Sequence, residues 1–240
     1  MHLSKRLLRV AANVMSDGVV ADIGCDHGFT SIYLIAHKKA TKAIAMDINA
    51  GPLKRAREHV AQYDMQDKIT LRLSDGAEQL KHGEADTLLI SGMGGALICN
   101  ILQEGKDVTQ SAKELVLSPQ SEVFLVLRCI HQLGFRIEHE EMVLDQGKYY
   151  VVIRAVKGQE IYQQEEDYLY GRRLIEEKNP VFISFLLKEE ARVLRILGGM
   201  EKKKLSPSAV TQKQNLEREL TQLRGVQNRM VTVHSQAGEQ

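Results

Sequence analysis

A short glycine loop behind a buried strand constrains the fold of this chain more than any other feature. Residues 19–29 read V-V-A-D-I-G-C-D-H-G-F, so an apolar run leads directly into a loop bounded by Gly24 and Gly28. Residues 30–37 then carry apolar side chains at helical spacing. A buried strand, a glycine loop and a helix form the first βα unit of a doubly wound sheet, in which ligands bind beyond the carboxyl ends of the strands.

The chemistry of this loop favours a cationic ligand over a dinucleotide. A dinucleotide-binding loop has the pattern G-x-G-x-x-G and holds pyrophosphate at the helix N-terminus. Here Asp26 occupies the place of the second glycine, and its carboxylate repels a pyrophosphate but attracts an ammonium or sulfonium group. S-Adenosylmethionine carries both cations, so we expect it as the cofactor, the alternative being a turn without a ligand. The loop residues predicted to bind it are Asp22, Gly24, Cys25 and Gly28.

Two further strands are predicted to place acidic side chains at the same edge of the sheet. The strand 42–47 ends at Asp47, which follows Gly24 at about the spacing at which Rossmann-like folds carry the acid that binds ribose hydroxyls. The strand 69–73 is followed by an acid and a glycine, a pair that is also common in plain turns. The cofactor-binding residues predicted from these two strand ends are Asp47, Ile48, Asp75 and Gly76.

A second glycine-rich loop, S-G-M-G-G at residues 91–95, follows the predicted strand 86–90. Three glycines in five residues allow the backbone to approach a ligand closely or to adopt positive φ angles. We expect this loop to lie beside the first one at the centre of the sheet and to border the target. The cofactor-binding residues predicted here are Gly92, Met93 and Gly94. The substrate-binding residues predicted here and after the fifth strand are Gly95, Ser118 and Pro119.

The last part of the sheet is predicted to be an antiparallel hairpin, residues 135–144 and 149–156. Parallel strands closed by a late hairpin are typical of class I methyltransferases. We therefore predict an α/β fold, a Rossmann-like sheet with a late antiparallel hairpin, as a domain over residues 1–158.

Beyond residue 158 the strand patterns give way to helical ones with apolar residues near heptad spacing. This indicates a helical coiled-coil hairpin domain over residues 159–240, and leaves open whether the hairpin closes on itself or self-associates with a second chain. The predicted heptad positions are Ile183, Leu187, Leu194 and Leu197, followed by Leu216, Leu220, Leu223 and Met230.

Composition excludes several classes of protein. In a chain of 240 residues, 43% are hydrophobic and 26% are charged, which is typical of a globular protein. No apolar run approaches the roughly 18 residues of a membrane span. The three cysteines form no C-x-x-C pair, which predicts reduced thiols in the cytoplasm and neither a zinc site nor disulfides. We therefore expect a cytoplasmic protein without a metal.

A net charge of +1 does not by itself indicate nucleic-acid binding. Local basic clusters are the alternative, one on an amphipathic helix predicted over residues 3–15 and one at residues 202–204. Such clusters are either RNA contacts or ordinary solvated faces. The candidate substrate-binding residues on the predicted helix are Lys5, Arg6 and Arg9.

Five segments in register resemble the bacterial tRNA (adenine-22-N1)-methyltransferase family. They are L-S-K-R-L from residue 3, A-D-I-G-C-D-H from residue 21, G-P-L from residue 51, G-E-A-D from residue 83 and G-M-G-G-A-L-I from residue 92. The resemblance is strongest over residues 3–155 and architectural beyond. It implies S-adenosylmethionine as cofactor, tRNA as substrate and N1 of adenine 22 as target, with Asp75 facing the adenine amine of the cofactor. The chain departs from the family in having Ser118-Pro119-Gln120 where a Gln-Pro-Asn motif is expected.

Asp26 and His27 are the candidate catalytic residues. Adenine N1 has its own lone pair, so methyl transfer to it requires neither a metal nor a covalent intermediate. The product is cationic, and the Asp26 carboxylate would stabilise the developing charge, unless it serves only the cofactor. His27 either orients Asp26, touches the substrate or is structural. N1 lies on the Watson–Crick edge, so a paired target has to be flipped out.

Two other functions are compatible with the sequence. One is a methyltransferase acting on a small molecule or on another RNA atom, which would use the same cofactor loops. The motif for covalent attack on pyrimidines, Pro-Cys, does not follow the fourth strand. The other is a non-catalytic binding protein, which the intact acidic residues at the strand ends disfavour.

Overall fold

The computed structural model describes residues 3–15, 17–201 and 206–232. Within them, seven strands form a single sheet. The strands are β1 (Val19–Ile23), β2 (Lys42–Asp47), β3 (Ile69–Leu73), β4 (Thr87–Ser91), β5 (Glu114–Ser118), β6 (Phe135–Asp145) and β7 (Lys148–Lys157).

The strand order is β3-β2-β1-β4-β5-β7-β6. Strands β1 to β5 pair in parallel, and β7 pairs antiparallel with both β5 and β6. The strand order reverses between β1 and β4, so the segments that follow these two strands meet at the topological switch point. This arrangement confirms the predicted fold class, an α/β Rossmann-like sheet with a late antiparallel hairpin.

Central strands of this sheet are buried on both faces, which explains their continuous apolar sequences. All of β5 is buried, as is β4 up to Ile90. The edge strand β3 alternates more and leaves Leu73 57% exposed. Parallel strands that are covered on both faces read as apolar runs rather than as alternating patterns. The central strands therefore provide a rigid base for the loops at their carboxyl ends.

The helices interleave with the strands. Ser4 caps the first helix, because its Oγ accepts a hydrogen bond from the Leu7 amide at 3.3 Å. This helix ends at Ala12 and is shorter than the predicted span of residues 3–15. The helices are α1 (Lys5–Ala12), α2 (Phe29–Ala36), α3 (Ala50–Gln62), α4 (Gly95–Glu104), α5 (Lys106–Ser111), α6 (Val123–Gln132), α7 (Glu165–Tyr170), α8 (Arg172–Glu177), α9 (Pro180–Met200) and α10 (Pro207–Thr232).

The chain divides into two compact units, residues 1–163 and 164–240. The first contains the whole sheet and helices α1 to α6, and the second contains helices α7 to α10. The domain boundary predicted at residue 158 falls in the segment between β7 and α7.

In the second unit, α9 and α10 form a helical hairpin. Arg224 binds Glu190 at 2.8 Å, and Arg192 binds Glu219, so residues that come later in α9 pair with residues that come earlier in α10. Asn179 caps α9 by accepting hydrogen bonds from two backbone amides. The side chains of α10 buried at predicted heptad positions are Leu216, Leu223 and Met230.

Three of the four predicted heptad positions of α9 are wrong by one residue, and the fourth, Leu197, is half-buried. Ile183, Leu187 and Leu194 are 41–59% exposed. The buried side chains of this helix are instead Phe182, Leu186 and Val193. Both sets have the same spacing along the sequence, so spacing alone does not distinguish them.

Candidate functional site

A cavity of about 670 Å³ is lined by the segments that follow the five parallel strands, together with α1. Its volume lies in the range of pockets that bind cofactors. The predicted site residues that line it are Arg6, Asp22, Gly24, Cys25, Asp26, His27, Asp47, Ile48, Asp75, Gly76, Gly92 and Met93. The other residues that line it, which the sequence did not single out, are Leu7, Ile23, Phe29, Thr30, Asn49, Pro52, Ser74, Ser91, Leu97, Ile101 and Gln120.

Gly24 turns the chain at the end of β1 in a conformation that residues with a side chain seldom adopt. Its φ angle is +77°, in the left-handed region that favours glycine. A Cβ atom at this position would lie 2.2 Å from Cε of Met93 in the second glycine-rich loop. The two loops therefore touch across the switch point.

The Asp22 carboxylate is buried beneath the first loop. The residue is 3% exposed, and its Oδ2 accepts a hydrogen bond from Ser31 Oγ at 2.7 Å. Desolvation by burial raises the pKa of Asp22 to about 6, although the hydrogen bond from Ser31 opposes the shift. A cationic ligand in the cavity would stabilise the ionised form of this side chain.

Asp47 joins the ends of β1 and β2. Its Oδ1 accepts a hydrogen bond from the Asn49 amide at 2.8 Å, and its Oδ2 lies 3.4 Å from the Asp26 amide. An ionised carboxylate has about four lone pairs for hydrogen bonds, so Asp47 keeps acceptor capacity for hydroxyl groups of a ligand.

The segment after β3 presents an exposed acid on a tightly held turn. Asp75 is exposed. The buried Ser74 holds the turn, because its Oγ donates to the Gly76 carbonyl at 3.1 Å and accepts from the Gln79 amide at 3.2 Å. Gly76 has a φ angle of +49°. The acid is thus available to a ligand while the backbone around it is fixed.

Asp26 and His27 lie together at the exposed rim of the cavity. The Asp26 side chain is 65% exposed and the His27 side chain 38%. The His27 Nε2 lies 3.6 Å from Asp26 Oδ2, and Arg55 of α3 lies 3.7 Å from Asp26 Oδ1. Arg55 had no signal in the sequence, because it lies on the exposed face of an ordinary amphipathic helix.

Of the basic residues predicted on α1, Arg6 lines the cavity. Its Nη1 donates to Ser91 Oγ at 2.8 Å, and its guanidinium lies 5.2 Å from the ring centre of Tyr150. Arg9 instead forms an ion pair with Glu141 of β6 at 2.7 Å. Lys5 is exposed. The predicted basic cluster at residues 202–204 lies outside the described residues.

The remaining predicted residues lie outside the lining of the cavity, and two of the glycines among them are closely packed. Gly28 caps α2 with a φ angle of +72°, and a Cβ here would lie 3.2 Å from Cβ of Ala56. At Gly95, a Cβ would lie 2.6 Å from the Glu122 carbonyl oxygen. The turn after β5 lines the cavity through Gln120. The predicted residues outside the lining are Lys5, Arg9, Gly28, Gly94, Gly95, Ser118 and Pro119, of which Gly28, Gly95, Ser118 and Pro119 are buried.

The chemistry of the lining fits S-adenosylmethionine. Four aspartates border one cavity, and they complement ammonium and sulfonium groups and accept hydrogen bonds from hydroxyls and amines. Apolar side chains, including Ile48 and Leu97, provide surface for a flat ring. Among the described residues, no group of three or more histidine, cysteine or acidic side chains is arranged to hold a metal ion. No helix among them is long and apolar enough to cross a membrane.

Comparison with known proteins points in the same direction. Residues 3–153 match the model of a family described as methyltransferase domain. The chain is 35% identical over 188 residues to the tRNA (adenine(22)-N(1))-methyltransferase of Bacillus subtilis. The match covers 76% of this chain and 79% of that protein.

Solved structures of similar proteins share the fold over nearly the whole chain. The crystal structure of the B. subtilis m1A22 tRNA methyltransferase TrmK superimposes with a TM-score of 0.82 at 31% identity, over 94% of this chain and 98% of that one. M. capricolum TrmK in complex with S-adenosylhomocysteine superimposes with a TM-score of 0.82 at 25% identity, over 96% of this chain and 100% of that one.

Proposed function

The chain belongs to the methyltransferase family that includes the tRNA (adenine(22)-N(1))-methyltransferase of B. subtilis, and on this basis we propose that it transfers a methyl group from S-adenosylmethionine to N1 of adenine 22 in tRNA. When bound, the cofactor supplies an electrophilic methyl group on a sulfonium centre. The observation that carries the proposal is the cavity at the switch point, whose four aspartates suit this cation in a chain of this family.

We assign the floor of the cavity to the cofactor. Desolvation by burial raises the pKa of Asp22 to about 6, so a nearby cation would favour the ionised carboxylate. Asp47 has acceptor capacity for ribose hydroxyls, and the exposed Asp75 can accept from an adenine amine. The proposed cofactor-binding residues are Asp22, Gly24, Cys25, Gly28, Asp47, Ile48, Asp75, Gly76, Gly92, Met93 and Gly94.

Asp26 and His27 are the proposed catalytic residues. Adenine N1 attacks with its own lone pair, so the chain has to position the base and stabilise the positive charge that develops on the ring. Asp26 borders the cavity with most of its carboxylate exposed, which leaves its oxygens free to face a base that enters from the rim. His27 lies within 3.6 Å of this carboxylate and keeps it oriented.

The rim of the cavity is the proposed substrate site. Arg6 is held between Ser91 and Tyr150 at the cavity wall, where its guanidinium can bind a phosphate or a base edge of tRNA. The target N1 lies on the Watson–Crick edge, so adenine 22 has to leave its stack to reach Asp26. The proposed substrate-binding residues are Lys5, Arg6, Arg9, Gly95, Ser118 and Pro119, although Arg9 also binds Glu141.

The direct test is methyl transfer from labelled S-adenosylmethionine to a tRNA transcript, followed by nucleoside mass analysis. We expect 1-methyladenosine from a transcript with adenine at position 22. The matched control is the same transcript with guanine at that position, which should incorporate nothing. Incorporation into both would assign another target atom. Binding of the cofactor without transfer to any tRNA would indicate a small-molecule substrate, and no cofactor binding would indicate a non-catalytic protein.

We further propose that residues 1–158 and 159–240 act as a catalytic domain and a helical domain, and that catalysis needs no metal. Full activity after treatment with a chelator would agree with catalysis that needs no metal.

The apolar side chains exposed along α9 support self-association through the C-terminal helices. Light scattering of the purified chain tests this, because a monomer at all concentrations would contradict it.

A further inference from the structure

Helix α3 contacts the first glycine loop, residues 24–28, through three residues on one of its faces. Arg55 and His59 lie one helical turn apart, so their side chains project from the same face. Ala56, between them, packs against Gly28, and a Cβ on that glycine would approach it to 3.2 Å. The helix and the loop are thus in close contact at the rim of the cavity.

Arg55 binds both proposed catalytic side chains. Its Nε donates to Nδ1 of His27 at 3.2 Å, and its Nη2 lies 3.7 Å from Oδ1 of Asp26. A guanidinium can only donate hydrogen bonds, so Nδ1 of His27 has to be the acceptor. The proton of the neutral imidazole is therefore on Nε2, the nitrogen that lies 3.6 Å from Asp26 Oδ2.

His59 fixes the backbone beneath these side chains. Its Nδ1 lies 2.9 Å from the His27 carbonyl oxygen, and its ring stacks on Phe29 with the ring centres 4.3 Å apart. Asp26 itself has a φ angle of +50°, a conformation that residues other than glycine seldom adopt and that neighbouring contacts have to maintain. The contacts from α3 provide that support.

From this geometry we propose that Arg55 is a positioning residue of the site. It holds the Asp26 carboxylate at the rim and selects the Nε2–H tautomer of His27, so that the histidine donates toward the carboxylate. The inference rests on the proposed function, in which Asp26 and His27 are the catalytic residues. The side chain of Arg55 is 49% exposed, and an exposed ion pair contributes little to stability. Its role is orientation.

The test compares Arg55→Gln with Arg57→Gln. Arg57 lies on the same helix and is exposed, and its side chain forms no hydrogen bond or ion pair among the residues that the structure describes. Both variants lose one positive charge, so both should raise the KM for tRNA alike. We expect only Arg55→Gln to lower kcat, by about tenfold, since misplacing a catalytic group costs this much or more. Equal kcat values in the two variants would overturn the proposal.

Nitrogen-15 NMR of the imidazole ring gives a readout that needs neither tRNA nor turnover. We expect His27 to carry its proton on Nε2 in the unmodified protein and to populate the Nδ1–H form in Arg55→Gln. Arg55→Lys should restore the KM for tRNA but not the tautomer, because an ammonium cannot donate to both partners in the fixed fork of a guanidinium.

The kinetic and NMR measurements together distinguish a failure of this inference from a failure of the proposed function on which it rests. A protein that fails to methylate tRNA while His27 changes tautomer in Arg55→Gln would contradict the proposed function alone. An unchanged tautomer in Arg55→Gln, or a proton on Nδ1 in the unmodified protein, would overturn the positioning role even in an active enzyme.

Discussion

Residues 24–28 and 91–95 are glycine-rich loops that follow the central strands β1 and β4, and both reach the cavity. In the first loop, Gly24 and Gly28 have φ angles of +77° and +72°. This backbone conformation carries Asp26 and His27 to the rim, where α3 supports them. The glycines of this loop serve the placement of charged side chains.

The second loop contains no charged residue, and its last glycine serves packing. At Gly95 a Cβ would lie 2.6 Å and 2.7 Å from the carbonyl oxygens of Glu122 and Ser121, at the start of α6. Its Met93 extends over Gly24 of the first loop. Under the proposed function, the first loop would perform the chemistry, and the second loop packs against it as a wall of the cavity.

The largest effect that this comparison predicts is the loss of turnover in Asp26→Asn. The amide keeps the shape of the side chain but not the charge, so we expect kcat to fall about 100-fold. The side chain is 65% exposed, so the free energy of unfolding should change by less than about 0.5 kcal/mol. Steady-state methylation of tRNA and thermal unfolding measure the two quantities.

Asp64→Asn is the matched control for this variant. Asp64 has nearly the same backbone conformation, with a φ angle of +53°, but it lies at the end of α3 and does not line the cavity. Its kcat should equal that of the unmodified protein. If Asp26→Asn retained full turnover, Asp26 would serve only the cofactor or the fold, and the proposed catalytic role of the first loop would be refuted.

The next effect is on stability and concerns the second loop. Gly95→Ala drives a methyl group into backbone carbonyl oxygens that cannot move aside singly, which should lower the free energy of unfolding by about 2 kcal/mol. In Gly94→Ala the nearest atom would be Ser121 Oγ at 3.4 Å, and the loss should stay below about 0.5 kcal/mol. Denaturant unfolding of both variants decides whether the second loop is a packing element.

A smaller effect is expected on cofactor binding in Gly24→Ala. Alanine at a φ angle of +77° costs about 1–2 kcal/mol, and its Cβ would collide with Met93. The loop relieves this strain by leaving the cavity, so we expect S-adenosylmethionine to bind about tenfold more weakly. Gly51→Ala should bind it normally, since its Cβ would meet no atom closer than 3.9 Å. Calorimetric titration would contradict the expectation if both variants bound alike.

The sequence predicts the strands that carry this site and the acidic residues at their ends, because each is indicated by a short, local sequence pattern. Apolar runs followed by glycine or acidic residues indicate parallel strands whose carboxyl ends share one edge. That rule alone brings Asp22, Asp47 and Asp75 to one cavity, as the structure has them. The hairpin of β6 and β7 is equally visible, because two strand-like segments flank the turn D-Q-G-K at residues 145–148.

What the sequence does not predict depends on packing between distant segments. Arg55 contacts a histidine 28 positions earlier in the chain, and only the approach of α3 to the first loop brings them together. The ion pair of Arg9 with Glu141 of β6 likewise joins residues far apart in the chain and has no signal in the sequence. At the end of β5, the path of the backbone decides which side chains are buried and which line the cavity. Ser118 and Pro119 are buried and Gln120 lines the cavity, but only the first two were predicted as site residues.

The smallest effect concerns the pH dependence of cofactor binding beneath the first loop. Burial raises the pKa of Asp22 to about 6 in the free protein, and a cationic ligand binds the ionised form better. The affinity should therefore be complete well above pH 6 and decline as the pH falls through this value, by about fourfold at pH 5.5 for a single such group.

Asp22→Asn isolates this contribution. The amide oxygen can still accept the hydrogen bond from Ser31, so the loop keeps its support, but the group no longer titrates. We expect weaker binding of S-adenosylmethionine that no longer changes between pH 7 and pH 5.5. If the variant kept the pH dependence of the unmodified protein, the titrating group would lie elsewhere. The buried Asp22 carboxylate would then support the structure of the cavity without contributing its charge to cofactor binding. The end of β1 would in that case have a packing role, like the loop that follows β4.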